Sequence, residues 1–142
     1  MTNLLLTFFS TGVLGGLARG MTRSELIAVL GDTTDTFQSS SDIEYLRYGP
    51  LQVRLDGDQV TQILLNCIAG TETRLPSVFL ETELPPPSLE LYTILEELDA
   101  HQISWSVDQA WSFDRQVCIA TVGGVRLYFD LDRRGLQTIQ AF

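Results

Sequence analysis

His101 is the single histidine of this chain, and Cys67 and Cys118 are its two cysteines, so the one conventional nucleophile set open to it is a thiol with that imidazole. Cys67 shares a strand phase with Ile63 and Leu65, which marks it as a core residue rather than a nucleophile. Zinc sites of the HExxH or CxxC kind need spacings that are absent. Asp130-x-Asp132-x-x-Gly135 has the opening of a calcium loop, but Arg134 stands where an oxygen ligand is needed and no glutamate closes the loop. It reads as a hairpin turn. Asp56 with Asp58, and Asp130 with Asp132, could pair for acid and base work, yet carboxylates in wet turns keep ordinary pKa values. Gly12-x-x-Gly15-Gly16 follows no strand and so is not a phosphate loop. All nine basic residues are Arg, which removes Schiff-base chemistry and a phosphate-loop lysine. These residues lead to an expectation of no enzyme activity, no cofactor and no metal.

Charge narrows the partners. Eighteen acidic residues against nine basic ones give a formal charge of −9, which repels nucleic acid and anionic membrane surfaces and suits a basic protein partner. Two cysteines fit a reducing compartment, where thiols serve as small apolar residues, and both are expected unpaired. The apolar stretch Leu4 to Ala18 has no Lys or Arg before it and is interrupted by Ser10, Thr11 and Gly12, so it reads as a packed helix rather than a signal peptide, and it is too short to span a bilayer. The expected location is the cytoplasm.

The elements that must position any site follow from periodicity. Leu4, Leu5, Phe8 and Phe9 make a helix of Asn3 to about Thr11. Thr22 and Glu25 form a capping box, Met21 and Leu26 can staple the start, and Leu26, Ile27, Val29 and Leu30 give an apolar stripe to be covered before a left-handed cap at Gly31. Asp32 to Ser41 reads as a polar loop. Strands are expected at Ile43 to Tyr48, Leu51 to Leu55 and Val60 to Ile68, with a turn at Asp56-Gly57-Asp58-Gln59. Ala69 to Pro87 reads as a connector in which Ser77 to Leu80 could pair as an edge strand. Ser88 is expected to cap a helix reaching about Ala100, with Leu91, Ile94, Leu95 and Leu98 buried. Strands return at Ile103 to Val107, Gln116 to Val122, Val125 to Asp130 and Leu136 to the end.

The second half echoes the first. Gly124-Val-Arg-Leu-Tyr-Phe-Asp matches Gly49-Pro-Leu-Gln-Val-Arg-Leu-Asp with one position skipped, and each run turns into a strand centred on Ile63 or Ile139. The fold expected is α+β: two fused helix-plus-antiparallel-meander units, residues 1–68 and 88–142, joined by connector 69–87, with the helices on one face of a curved antiparallel sheet.

Gly20-Met21-Thr22, Glu25 and Leu30-Gly31, with Tyr48-Gly49 leading into alternating strands, resemble the helix-helix-meander module of two families. One is the beta-lactamase inhibitor protein, a tandem of such modules; the other is the SmpA/OmlA outer-membrane lipoproteins of BamE type. The likeness covers about residues 20–66 and is topological beyond them. The chain departs from the lipoproteins in having no lipidated cysteine near its start, and from the inhibitor in having no cysteine pair within either unit. The layout is also similar to that of uncharacterised bacterial proteins. What the resemblance implies is binding by the sheet surface without catalysis.

Strand alternation says which residues would bind. With Leu51, Val53 and Leu55 facing the helices, Gln52 and Arg54 face away, and so do Arg126 and Tyr128 if Val125, Leu127 and Phe129 face inward. Tyr45, Arg47, Trp105 and Trp111 join them depending on register, and either tryptophan could instead fill the core between the units. Arg, Tyr and Trp carry most interface energy. The expected function is a non-catalytic protein-binding module, of the kind an intracellular bacterial inhibitor or immunity protein would be. The rival expectations are a small-molecule binder or weak enzyme using the cleft between units, and an envelope-assembly adaptor.

Overall fold

The apolar start folds as α1 (Asn3–Thr11) in a computed structural model that describes residues 1–68, 74–79, 84–85, 89–132 and 135–142. Thr2 caps it, accepting from the Leu5 N–H at 3.4 Å, and Gly12 closes it in the left-handed conformation at φ 77°. Leu5, Leu6, Phe8 and Phe9 are buried, each contributing roughly 1.5–3 kcal/mol relative to exposure.

Helix α2 (Arg23–Leu30) carries the full capping box: Thr22 Oγ1 accepts from the Glu25 N–H at 3.2 Å and Glu25 Oε1 from the Thr22 N–H at 3.3 Å. Gly31 ends the helix with φ 81° and ψ 179°, an extended conformation open only to glycine, where the left-handed cap was expected. Of its apolar stripe only Leu26 is fully buried, while Ile27, Val29 and Leu30 are half-covered. Replacing Thr22 by Ala is expected to cost about 1 kcal/mol, read as a fall in the urea midpoint; an unchanged midpoint would show that the cap contributes nothing.

The strands are β1 (Thr36–Gln38), β2 (Ile43–Tyr48), β3 (Leu51–Asp56), β4 (Gln59–Asn66), β5 (Trp105–Val107), β6 (Gln116–Thr121), β7 (Val125–Asp130) and β8 (Gly135–Ala141), with α3 (Leu91–Ala100) between β4 and β5. They form one antiparallel sheet in the order β1-β2-β3-β4-β8-β7-β6-β5. The chain is thus α+β, two four-stranded meanders meeting at the β4–β8 seam, with the described helices sharing one core on one face of a curved sheet.

Three expectations need correction. Thr36–Gln38, read as polar loop, pairs as an edge strand because β2 offers it a free edge. Ser77 to Phe79 turn rather than pair, and Leu80 lies outside the described residues, as do Ser88, Arg134 and most of the connector. Glu90 is the N-cap of α3, without a side-chain cap bond.

The two meanders correspond in register. Each central hairpin carries a bulge at the same point, between Arg54 and Leu55 in β3–β4 and between Tyr128 and Phe129 in β7–β8. The residue before each helix cap is tied to the strand just past that bulge: the Val60 N–H donates to the Met21 carbonyl at 2.8 Å and the Leu136 N–H to the Leu89 carbonyl at 3.2 Å. Helix α3 therefore answers to α2. Helix α1 instead ends at the turn between β6 and β7, where the Phe9 carbonyl accepts from Thr121 Oγ1 at 2.6 Å and from the Gly123 N–H at 3.0 Å. These bonds satisfy a carbonyl that the end of a helix leaves open.

Candidate functional site

Register decides which side chains share the sheet face turned away from the helices. In β3 the buried Leu51, Val53 and Leu55 alternate with the partly exposed Gln52, Arg54 and Asp56. Tyr45 is the Cα partner of Arg54 and Arg47 that of Gln52, so all four expected residues of the first meander stand together on the far face. Phe37, opposite Tyr45 in β1, joins them with its ring centroid 6.3 Å from that of Tyr45, and it is 56% exposed.

The arginines of this cluster are held. Arg54 Nε donates to Asp56 Oδ1 at 2.7 Å and Nη2 to Oδ2 at 3.4 Å, a two-point pairing, while its guanidinium lies 5.9 Å from the Tyr45 ring centre. The hydrogen bond from Arg54 holds the Asp56 carboxyl below the usual carboxylate range, so this turn carboxylate does not keep the ordinary value expected from sequence. Arg47 Nε donates to Gln52 Oε1 at 3.2 Å.

In the second meander the same face is partly covered by the chain itself. The β5–β6 connection crosses it as a short 3-10 turn (Gln109–Trp111). Asp108 at its start accepts from Arg126 Nε at 2.8 Å, and Ser112 Oγ donates to the Asp108 carbonyl at 2.8 Å while accepting from the Cys118 N–H at 3.0 Å. The bond from Arg126 keeps Asp108 below the usual range. Small residues, Cys118 and Ala120, make room for this connection where Tyr45 and Arg47 fill the corresponding space in the first meander.

Two expected site residues must therefore be reassigned. Tyr128 points to the far face as alternation requires, yet it is only 8% exposed, packed under Trp111 at 6.5 Å between ring centres. Burial pushes its hydroxyl up to about 12. Trp105 is on the opposite face, because its Cα partner Thr121 bonds α1. It packs against the core, and its Nε1 donates to Asp99 Oδ1 at 2.9 Å. Trp111 stays on the far face, 43% exposed, with Phe142 edge-on at 6.3 Å. Arg126 lies with its guanidinium 4.5 Å from the Phe142 ring centre.

Sequence reasoning missed the middle of the face. A cleft of about 470 Å³ opens beside the seam. Gln62, Thr138 and Gln140 are its floor, Trp111, Phe113 and Phe142 its aromatic side, and Gln116 and Gln137 extend it. The signal was present as glutamines alternating with Leu136 and Ile139 and with Ile63, which alternation places on the face opposite the core.

The groups named for chemistry lie apart. Cys67 sits in the main core and Cys118 beneath the β5–β6 connection, both free thiols, with burial pushing them up to about 12 and about 11 respectively. His101 closes α3 at the surface, its Nδ1 2.9 Å from the Glu97 carbonyl. Among the described residues no group of three His, Cys, Asp or Glu is placed to hold a metal ion, and no helix is long and apolar enough to cross a membrane. Neither thiol should react with iodoacetamide at pH 7 until the protein is unfolded, when mass spectrometry should show both alkylated without prior reduction. A requirement for reductant would contradict the unpaired state.

Comparison with known proteins gives no match, whether to a family model, a curated protein or a solved structure.

Proposed function

We propose that this chain is a non-catalytic protein-binding module that engages its partner through the sheet face turned away from the helices, as an inhibitor or immunity protein would. The observation that carries this reading is the cluster of Phe37, Tyr45, Arg47 and Arg54 on the open half of that face. Arginines and aromatic rings are the side chains that dominate interface energetics. Pairing with Asp56 and contact with Tyr45 already restrain Arg54, so it loses less freedom on binding than a free surface side chain. The charge of −9 speeds encounter with a basic partner. The free thiols suit a reducing compartment such as the cytoplasm.

Affinity capture with wild-type and variant chains tests the reading. A partner held by wild type should be held at least tenfold more weakly by Arg54→Ala or Tyr45→Ala, a loss of about 1.4 kcal/mol. Arg54→Ala should leave the melting temperature within about 2 °C, since exposed pairs contribute little to stability. Equal capture by both variants would place the interface elsewhere.

A further inference from the structure

The cleft over the β4–β8 seam has a chemistry of its own, distinct from that of the Tyr45–Arg54 cluster. Among the described residues no charged side chain lines it, although the whole chain carries −9. The guanidinium beside it, Arg126 against the Phe142 ring, is already paired with Asp108 at 2.8 Å, so an anionic ligand finds no free counter-charge there. The cleft's polar residues are glutamines with the hydroxyl-bearing Thr138 and Tyr128, and the amides are oriented: Gln62 Nε2 donates to Gln140 Oε1 at 3.2 Å, and Gln140 Nε2 to Thr138 Oγ1 at 3.4 Å. Gln116 Nε2 donates to the Trp111 carbonyl at 2.9 Å. Each of these bonds uses one of the two N–H groups of its amide and leaves the other, while the Oε1 atoms of Gln62 and Gln116 are left to accept. The cleft thus offers fixed donors and acceptors side by side, the pattern that complements neighbouring hydroxyl groups, each of which both donates and accepts.

Beside these amides, Trp111, Phe113 and Phe142 are 43%, 55% and 41% exposed. They form open apolar platforms rather than a closed pocket, and the electron-rich face of an aromatic ring attracts the slightly positive C–H groups of a sugar ring. A volume of about 470 Å³ is that of a small-ligand site. A peptide added as a further strand is excluded on geometric grounds. Peptides add to sheets through the main-chain groups of an edge strand, whereas β4 and β8 each already have a strand on both sides. We propose that this cleft binds an uncharged saccharide, its hydroxyls on Gln62, Gln140 and Gln116 and its C–H face against Trp111.

The two tryptophans supply the test, because Trp105 is on the opposite face. Uniformly 15N-labelled chain would be titrated with tetrasaccharides of glucose, mannose and N-acetylglucosamine, and separately with a galacturonate tetramer and an uncharged pentapeptide. At least one neutral tetrasaccharide should move the Trp111 indole and Gln140 amide signals saturably while the Trp105 indole stays in place. Trp111→Ala and Gln140→Leu should each weaken that binding at least tenfold, and Tyr45→Ala should leave it unchanged. The proposal is overturned if no neutral tetrasaccharide shifts these signals, or if the galacturonate or the pentapeptide binds more tightly than all of them. It is equally overturned if both cleft variants bind as wild type does. The proposal does not depend on the protein-binding reading, since a loss of partner capture in Arg54→Ala leaves the titration unaffected.

Discussion

Gly123→Ala should lower stability by about 3 kcal/mol, a fall in melting temperature of roughly 10 °C for a chain of this size. The turn between β6 and β7 carries this glycine against the end of α1. A Cβ there would stand 2.6 Å from the Phe9 carbonyl oxygen and 2.7 Å from the backbone nitrogens of Thr11 and Gly12. All three are main-chain atoms, so no side chain can swing aside. Relief requires moving the helix off the sheet, which breaks the bonds from Gly123 and Thr121 to Phe9 and opens the contacts of Phe8 and Phe9. Val122 in the same turn is 65% exposed, and its replacement by Ala should change stability by no more than about 0.5 kcal/mol. Thermal melts of the two variants check the pair, and equal melts would mean that α1 is not seated as described.

Tyr128→Ala should cost about 3 kcal/mol, in the range of truncated buried aromatics. Its ring fills the space between the far face of the sheet and the β5–β6 connection, with Trp111 edge-on above it and Cys118 beside it. Truncation leaves a cavity that the Asp108–Arg126 pair and the Ser112 bonds hold open. Tyr128→Phe keeps the ring and should lose about 1 kcal/mol at most. Urea titration distinguishes them, and an alanine variant as stable as the phenylalanine one would mean that the connection does not pack on this ring.

Much of the fold was legible because local signals agreed with the tertiary outcome. Strands β2 and β7 have the limits expected, since alternation runs uninterrupted between turn residues. The capping box forms because Thr22 and Glu25 bond each other, which requires nothing from elsewhere. Strand β1 was not legible: its lone apolar residue, Phe37, is exposed, so no buried period marks it. The side taken by Trp105 depends on how a three-residue strand pairs with β6, a long-range choice that a short segment does not encode. Likewise nothing in Asp108 to Ser112 announces that it folds back over Tyr128; its anchors, Arg126 and Cys118, come later in the chain. The sequence thus located the face, and tertiary packing decided which of its residues stay open.

The β4–β8 seam has a kinetic consequence. Gln62 and Gln140, bonded across it, are 78 residues apart, and Thr121 reaches back 112 residues to Phe9. Contacts of this range raise contact order, so folding must wait for much of the chain and is slow for its size. During synthesis β4 emerges well before its partner and stands as an eight-residue edge with unmatched N–H and C=O groups, open to pairing with other chains. A ribosome that stalled before β8 would therefore release an aggregation-prone fragment rather than a folded half of the sheet.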